Sequence, residues 1–193
     1  RRWKDGEGEY HTIFFALKDS GITSLEDLQG EVIGFEDSAS TSGFMLPLAH
    51  LIEAGFAPLE INELEGDIVE DSVNYIFTKD DENTIQWVLS GKVNAGVLDN
   101  QSYYMDIPEE TRDNLIILAE TEVVARQIAM IRPNMDPVLQ EAITMALLNA
   151  SDNEAGQSAL ETFKTTKFDE FPAGADTVLT RMEQLYELTL QRE

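Results

Sequence analysis

Between residues 22 and 120, short β-branched runs alternate with amphipathic helical stretches. The first run, residues 31–35, is followed by the polar segment 37–43 and by a helical pattern that stops at Gly55. Further strand-like runs lie at 73–77, 95–98 and 115–118, and a helical pattern covers 82–89. Because strands that alternate with helices form βαβ units, we expect an α/β fold with a mostly parallel sheet. Ligands of such sheets bind where strand carboxyl ends meet helix amino ends.

Charge and pattern divide the chain into two expected units. Residues 22–120 carry 21 acidic and 3 basic side chains, and account for most of the net charge of −24. This segment is the expected α/β lobe. Two longer β-like segments, 10–17 and 122–131, flank it, and helical patterns follow near 136–150, 153–162 and 176–191. We therefore assign residues 1–21 and 121–193 to a second, more helical unit.

Composition excludes several classes of function. A net charge of −24 repels nucleic acid and anionic membranes, so neither is an expected partner. The chain has no cysteine, which removes disulfides, thiol nucleophiles and thiolate metal sites. No signal-peptide core follows the first residues, and the apolar run 13–17 is far shorter than the ~20 residues of a membrane-spanning helix. No metal or cofactor is predicted, and no direct membrane insertion.

The most informative polar stretch is Ser40, Thr41, Ser42 and Gly43, at the junction of a predicted strand and helix. Three hydroxyls and the free N–H groups of a helix start can bind an oxyanion without a cationic side chain. The alternative is that one hydroxyl is the helix N-cap and the other two face water. Pro47 restricts where regular helical hydrogen bonding can begin.

Several blocks in a fixed order carry a resemblance to a known family. They are Tyr10-His11-Thr12-Ile13, Asp19-Ser20-Gly21-Ile22, Ser24-Leu25-Glu26-Asp27-Leu28-Gln29-Gly30, Ser40-Thr41-Ser42-Gly43-Phe44, Ser90-Gly91-Lys92-Val93-Asn94-Ala95-Gly96 and Ile131-Arg132 with Asp136-Pro137. Over most of residues 10–150 the chain resembles the phosphate, phosphite and phosphonate-binding proteins of ABC importers. The Ser-Thr-Ser-Gly block is the most specific part of this resemblance.

The resemblance implies a type II periplasmic-binding fold, a small oxyanion ligand held between two lobes, and delivery to an ABC transporter permease without catalysis. It implies that Ser40, Thr41 and Ser42 hold the oxyanion head group. Tyr10, on the crossover strand, is expected to line the cleft, and Asp99, after the strand 95–98, is expected to contact the rest of the ligand. The implied location is periplasmic or extracellular and membrane-anchored.

Two departures from the family pattern stand out. The family usually has a His-Asp pair where this chain has Asp81-Glu82. Either Asp81 contacts a ligand that carries a cationic group or a proton, or these acids only complement the dipole of a helix start. Family members also open with a strand-helix-strand block that has no counterpart here. We therefore expect one complete βαβ lobe plus the C-terminal part of a second lobe.

Two other functions stay open at this point. An extracytoplasmic sensor module of a signalling protein could use the same fold to report a ligand. An enzyme could use Asp81 and Asp99 as acid and base, but nothing in their spacing requires it, and no Gly-x-Ser-x-Gly nucleophile elbow is present. The sequence does not identify the ligand or the oligomeric state.

Overall fold

The computed structural model describes residues 1–64 and 68–190. The strands of these residues are β1 (Arg2–Lys4), β2 (Glu9–Tyr10), β3 (Thr12–Leu17), β4 (Val32–Phe35), β5 (Pro58–Glu60), β6 (Val73–Phe77), β7 (Ala95–Asp99), β8 (Leu115–Glu120), β9 (Val124–Ala125) and β10 (Thr165–Phe168). The helices are α1 (Leu46–Glu53), α2 (Asp81–Leu89), α3 (Asn100–Met105), α4 (Glu109–Arg112), α5 (Pro137–Leu148), α6 (Glu154–Thr162) and α7 (Ala175–Leu190).

The chain divides into two compact units. The sheet unit comprises His11–Glu122 and Glu183–Glu193, and the helical unit comprises Arg1–Tyr10 and Val123–Met182. The sheet unit thus includes residues 11–21, which the sequence analysis assigned to the other unit. The reason is that β3 pairs with β7 on one side and with β8 on the other, which ties it to the sheet.

The sheet unit is built on one six-stranded sheet with the order β5-β6-β4-β7-β3-β8. The pairs among β5, β6, β4 and β7 are parallel, as the alternation of strands and helices predicts. Strand β3 is antiparallel to both of its neighbours, so the sheet is mixed at this end. Gly55, with φ +88°, follows the end of α1 in the left-handed conformation that favours glycine.

Strand β3 is the centre of a core with two faces. Ile13 and Phe15 point to a cluster that includes Ile85 and Val88 of α2, whereas Phe14 and Ala16 point to a cluster on the opposite face. The side chains of these four β3 residues are fully buried. A strand that is covered on both sides reads as a continuous apolar run, which is how this segment appears in the sequence.

The helical unit has little regular sheet. Strand β1 pairs with β10, and β2 pairs with β9, each as a two-stranded antiparallel ribbon. Two of its helices begin at side-chain caps: the Asp136 side chain accepts from the first-turn N–H groups of α5, and Asn153 accepts from the N–H of Gly156 in α6. The β-like segment 122–131 forms a strand only at β9. In residues 1–64 and 68–190 no helix is both long and apolar enough to cross a membrane.

Candidate functional site

The carboxyl ends of three parallel strands define one edge of the sheet unit. Strands β4, β6 and β7 run in the same direction, so their carboxyl ends lie together. Helices α2 and α3 begin just beyond β6 and β7, and the helical turn before α1 begins five residues beyond β4. This is the edge at which ligands of open α/β sheets bind, because helix amino ends offer unpaired N–H groups there.

The predicted hydroxyl cluster forms the first turn before α1, and residues 40–43 are called the hydroxyl turn below. Ser40 is the N-cap, and its Oγ accepts the Gly43 N–H at 3.0 Å. Thr41 and Ser42 are half-buried. Within the described part of the chain, neither their N–H groups nor their hydroxyls have a hydrogen-bond partner. Ser40 thus fits the alternative of a capping hydroxyl, while Thr41 and Ser42 offer donors at the positive end of a helix.

The backbone of this turn is π-helical rather than α-helical. Pro47 has no N–H, so it cannot donate to the Gly43 carbonyl as an α-helix requires. The Glu36 N–H donates to that carbonyl instead, at 3.0 Å, and the buried Thr12 hydroxyl donates to the Ser42 carbonyl at 2.7 Å. Strand β3 and the residue after β4 therefore hold two carbonyls of the turn, and the N–H groups of the turn point in the opposite direction.

Glu36 stands directly against the hydroxyl turn, and the sequence analysis missed it. A Cβ atom on Gly43 would overlap the Cβ and a carboxylate oxygen of Glu36, so only glycine permits this approach. The available signal was an acid placed immediately after strand β4, at the edge where ligands bind. A carboxylate at this position would favour a ligand that carries a proton or a cation over a fully ionised oxyanion.

Asp81 lies in the first turn of α2 and has a perturbed acidity. Burial raises the pKa of its carboxyl to about 6, and the negative charge of Glu36 adds to this rise. The charges of Asp99 and Asp106 add further, whereas the Ser102 hydroxyl partly opposes the shift. Near pH 6 the protonated and the ionised forms of the Asp81 carboxyl are therefore both populated. The protonated form can donate a hydrogen bond to an oxyanion.

The neighbouring acids have structural roles. Asp80 is the N-cap of α2, and its carboxylate accepts the Asn83 N–H at 2.7 Å. Asp99 is the N-cap of α3, and its carboxylate accepts the Ser102 hydroxyl at 2.9 Å. Asp80 is thus the cap of α2, while Asp81 and Glu82 lie in its first turn, where the sequence analysis allowed them only to complement the helix dipole. A ligand contact of Asp81 stays a prediction.

An open depression with a volume of about 1160 Å³ lies at this edge of the sheet unit. The acids that line it are Glu36, Asp80, Asp81, Glu82 and Asp106. Glu36 also contacts the hydroxyl turn, so it joins the turn to the acidic depression. Among residues 1–64 and 68–190, no group of three or more His, Asp or Glu side chains is arranged to hold a metal ion.

Tyr10 belongs to the helical unit, unlike the other predicted site residues. It lies on β2, is largely buried, and its ring centre is 5.0 Å from the Arg126 guanidinium carbon. This is a cation–π distance. The expected role of Tyr10 in lining a ligand cleft remains a prediction.

Comparison with known proteins gives a consistent result. A family model described as ABC transporter, phosphonate, periplasmic substrate-binding protein matches residues 1–173. No curated protein sequence matches the chain.

Solved structures with the same fold include XAC2383 from Xanthomonas citri bound to ATP, with 26% identity and a TM-score of 0.87. The match covers 98% of this chain and 69% of that one. PhnD1 from Prochlorococcus marinus, in complex with methylphosphonate, has 18% identity and a TM-score of 0.62, with 100% of this chain and 71% of that one covered. A binding protein component of an ABC phosphonate transporter from Pseudomonas aeruginosa has 14% identity and a TM-score of 0.53. That match covers 99% of this chain and 72% of the other. These are type II periplasmic binding proteins, and this chain corresponds to part of their length.

Proposed function

Because its family model matches residues 1–173, the chain belongs to the periplasmic substrate-binding proteins of phosphonate ABC transporters, and we propose that it binds a phosphorus oxyanion at the hydroxyl turn. The observation that carries the proposal is the pair of half-buried residues Thr41 and Ser42, whose N–H groups and hydroxyls are free to donate at a helix amino end. The family binds and delivers solutes and is not an enzyme family.

The electrostatics favour a neutral set of donors. With a net charge of −24, the surrounding field repels anions, so affinity must come from short hydrogen bonds and the local helix dipole. Charges at the surface are screened over roughly 8–10 Å at physiological salt, whereas contacts at the turn are made at hydrogen-bond distance. The protonated form of Asp81 adds a further donor, which offsets the repulsion from Glu36.

The ligands bound in the related structures support a phosphorus oxyanion, but they do not identify the group attached to the phosphorus. PhnD1 from Prochlorococcus marinus was solved with methylphosphonate, and XAC2383 from Xanthomonas citri with ATP. Both ligands present a phosphorus oxyanion that a helix amino end can hold. Since XAC2383 matches 98% of this chain with a TM-score of 0.87, a nucleotide phosphate is the second candidate ligand.

The family also implies the setting in which binding takes place. Its members act in the periplasm and serve an ABC transporter. We therefore propose an ABC transporter permease as the protein partner and a position on the outer side of the cytoplasmic membrane. Attachment of the mature protein by a membrane anchor is part of the same proposal.

Isothermal titration calorimetry tests the proposed ligand class. The panel is phosphate, phosphite, methylphosphonate, 2-aminoethylphosphonate and ATP, each titrated into the purified protein at pH 6. We expect binding of at least one, and Thr41→Val should weaken it about 10-fold, since a hydrogen bond to a charged group contributes roughly 1.5 kcal/mol.

The matched control is Thr41→Ser, which keeps the hydroxyl and should bind within about twofold of the unmodified chain. Absence of binding to the whole panel would contradict the proposed function. Equal affinities for Thr41→Val and Thr41→Ser would contradict the role of the hydroxyl turn.

A further inference from the structure

Lys79 is a basic residue at the ligand-binding edge of a strongly acidic segment. Residues 22–120 contain 21 acidic side chains and only three basic ones, Lys79, Lys92 and Arg112. Lys79 follows the carboxyl end of β6, whereas Lys92 and Arg112 precede β7 and β8 and so lie toward the opposite edge. The one cation that this segment places beside the hydroxyl turn is therefore Lys79.

The backbone of Lys79 is left-handed, with φ +84°. In the described part of the sheet unit, every other residue with a positive φ is a glycine. Two backbone hydrogen bonds of 2.8 Å hold the chain in this conformation, from the Thr78 N–H to the Phe35 carbonyl and from the Lys79 N–H to the Glu36 carbonyl. Glycine adopts it without cost, whereas a Cβ atom makes it unfavourable. A lysine here lowers stability, which points to a role of its side chain in function.

Lys79 is a close neighbour of the hydroxyl turn. Its N–H donates to the Glu36 carbonyl, and the Glu36 N–H donates to the Gly43 carbonyl at 3.0 Å. Glu36 is thus the one residue between Lys79 and the turn in this series of hydrogen bonds. A lysine has a long, flexible stem that ends in an ammonium group. Such a side chain can span one intervening residue and reach an anion bound at the turn.

The Lys79 ammonium group lies over an aromatic ring. Its Nζ is 5.5 Å from the ring centre of Phe77. The Phe77 ring centre is 5.1 Å from that of Phe44, the residue that follows the hydroxyl turn. In the part of the chain that the structure describes, no ion pair includes Lys79. Because a cation–π contact at an exposed position is weak, the ammonium group can exchange it for an oxyanion.

We propose that Lys79 is a ligand-binding residue whose ammonium group pairs with an oxygen of the phosphorus oxyanion on the side open to solvent. This inference rests on the proposed function. The neutral donors of Thr41 and Ser42 hold the oxygens that face them, and Lys79 supplies one positive charge that offsets the Glu36 carboxylate. A tetrahedral phosphorus oxyanion offers Lys79 a third oxygen that a carboxylate lacks, so this residue favours the former ligand.

Calorimetry with charge variants tests the proposal. The probes are phosphate, phosphite, methylphosphonate, 2-aminoethylphosphonate and ATP at pH 6, and the comparison uses the one that the unmodified chain binds most tightly. Lys79→Gln should weaken its binding about 10-fold, because a charge-assisted hydrogen bond is lost. Lys79→Arg keeps the charge and should bind within about threefold of the unmodified chain. The matched control is Lys92→Gln, which changes the net charge equally at the opposite edge and should alter the affinity by about twofold or less.

A double substitution separates a ligand contact from an indirect effect through Glu36. If Lys79 only offsets the Glu36 carboxylate, Lys79→Gln has no effect once that carboxylate is gone. If the ammonium group contacts the ligand, Lys79→Gln should still weaken binding at least about fivefold in a chain that carries Glu36→Gln.

Thermal unfolding gives a readout that a structural role of the side chain would not produce. Lys79→Gly relieves the left-handed strain, so its Tm should equal or exceed that of the unmodified chain. Its affinity should nevertheless fall about 10-fold, as for Lys79→Gln. A loss of affinity without a loss of stability identifies a side chain that serves binding.

Four results would overturn the inference. They are an unchanged affinity of Lys79→Gln, an equal loss of affinity in Lys92→Gln, no effect of Lys79→Gln in the Glu36→Gln chain, and a Tm of Lys79→Gly lowered by more than about 2 °C. If Thr41→Val weakens binding and Lys79→Gln does not, this inference fails and the proposed function stands. If the unmodified chain binds none of the probes, the proposed function fails and this inference fails with it.

Discussion

Replacing Asp81 with asparagine should stabilise the protein at neutral pH and leave its stability unchanged near pH 4. Burial and the charge of Glu36 raise the pKa of Asp81 from its ordinary 3.8 to about 6 in the folded protein. The folded state therefore binds this proton more tightly than the unfolded state. Between pH 3.8 and 6 the ionisation of Asp81 increasingly destabilises the folded protein as the pH rises. Above pH 6 this destabilisation has reached its full value.

The magnitude follows from the difference between the two pKa values. At about 1.36 kcal/mol per pH unit, a rise from 3.8 to about 6 corresponds to at most ~3 kcal/mol. Because Asp81 is only partly buried, solvent screening reduces this figure to about 1–2 kcal/mol. Asparagine has nearly the shape of the protonated acid and never ionises, so Asp81→Asn should gain that amount at pH 7.5.

Urea unfolding at pH 4, 6 and 7.5, followed by tryptophan fluorescence, measures the effect. The matched control is Glu82→Gln, which removes the same charge from the exposed neighbouring position in the first turn of α2. It should be neutral or destabilising by up to about 0.5 kcal/mol, because it loses only a favourable dipole interaction. Equal effects of the two substitutions, or a gain from Asp81→Asn that does not vary with pH, would refute the reasoning.

Three further predictions concern the same edge of the sheet. Thr12→Val should destabilise the protein by about 1–3 kcal/mol in urea unfolding, because the buried hydroxyl that holds the Ser42 carbonyl is lost, whereas Thr12→Ser should cost less. Gly43→Ala should cost about 1–3 kcal/mol by the same measurement, since its Cβ overlaps Glu36, and a cost near zero would show that the approach is not tight. Affinity for methylphosphonate should fall up to about tenfold from pH 6 to 7.5 as Asp81 ionises, and Asp81→Asn should remove this part of the pH dependence, as calorimetry would show.

Much of the fold could be predicted from local pattern. The run 31–35, the polar segment after it and the helix that stops at Gly55 appear in the structure as β4, the hydroxyl turn and α1. They were predictable because strand alternation, Pro47 and a glycine helix stop act through neighbouring residues. The exit segment 122–131 was different: only β9 forms a strand, because strand formation depends on a partner elsewhere in the chain.

The candidate site was predicted in part. Residue types and spacing indicated Ser40, Thr41 and Ser42, and the structure distinguishes the capping hydroxyl of Ser40 from the two residues with free donors. Glu36 was missed, because its proximity to the turn depends on a contact between a strand end and a glycine seven residues later. An acidic residue after a strand marks the edge of the sheet at which ligands bind, but the sequence does not show that it contacts Gly43.

The sequence alone determined the positions of β4, α1, β6, α2, β7 and β8, where the hydroxyl-rich turn lies, and that the lobe is strongly acidic, but it did not indicate β5, α3 or α4. These properties depend on side-chain chemistry and on near neighbours in the chain. Only the tertiary structure decided that β3 belongs to the sheet unit, that Asp81 is buried beside Glu36 with a pKa of about 6, and that Lys79 lies beside Glu36. Strand pairing, desolvation and burial are made by residues far apart in sequence, so their outcome exists only once the chain has folded.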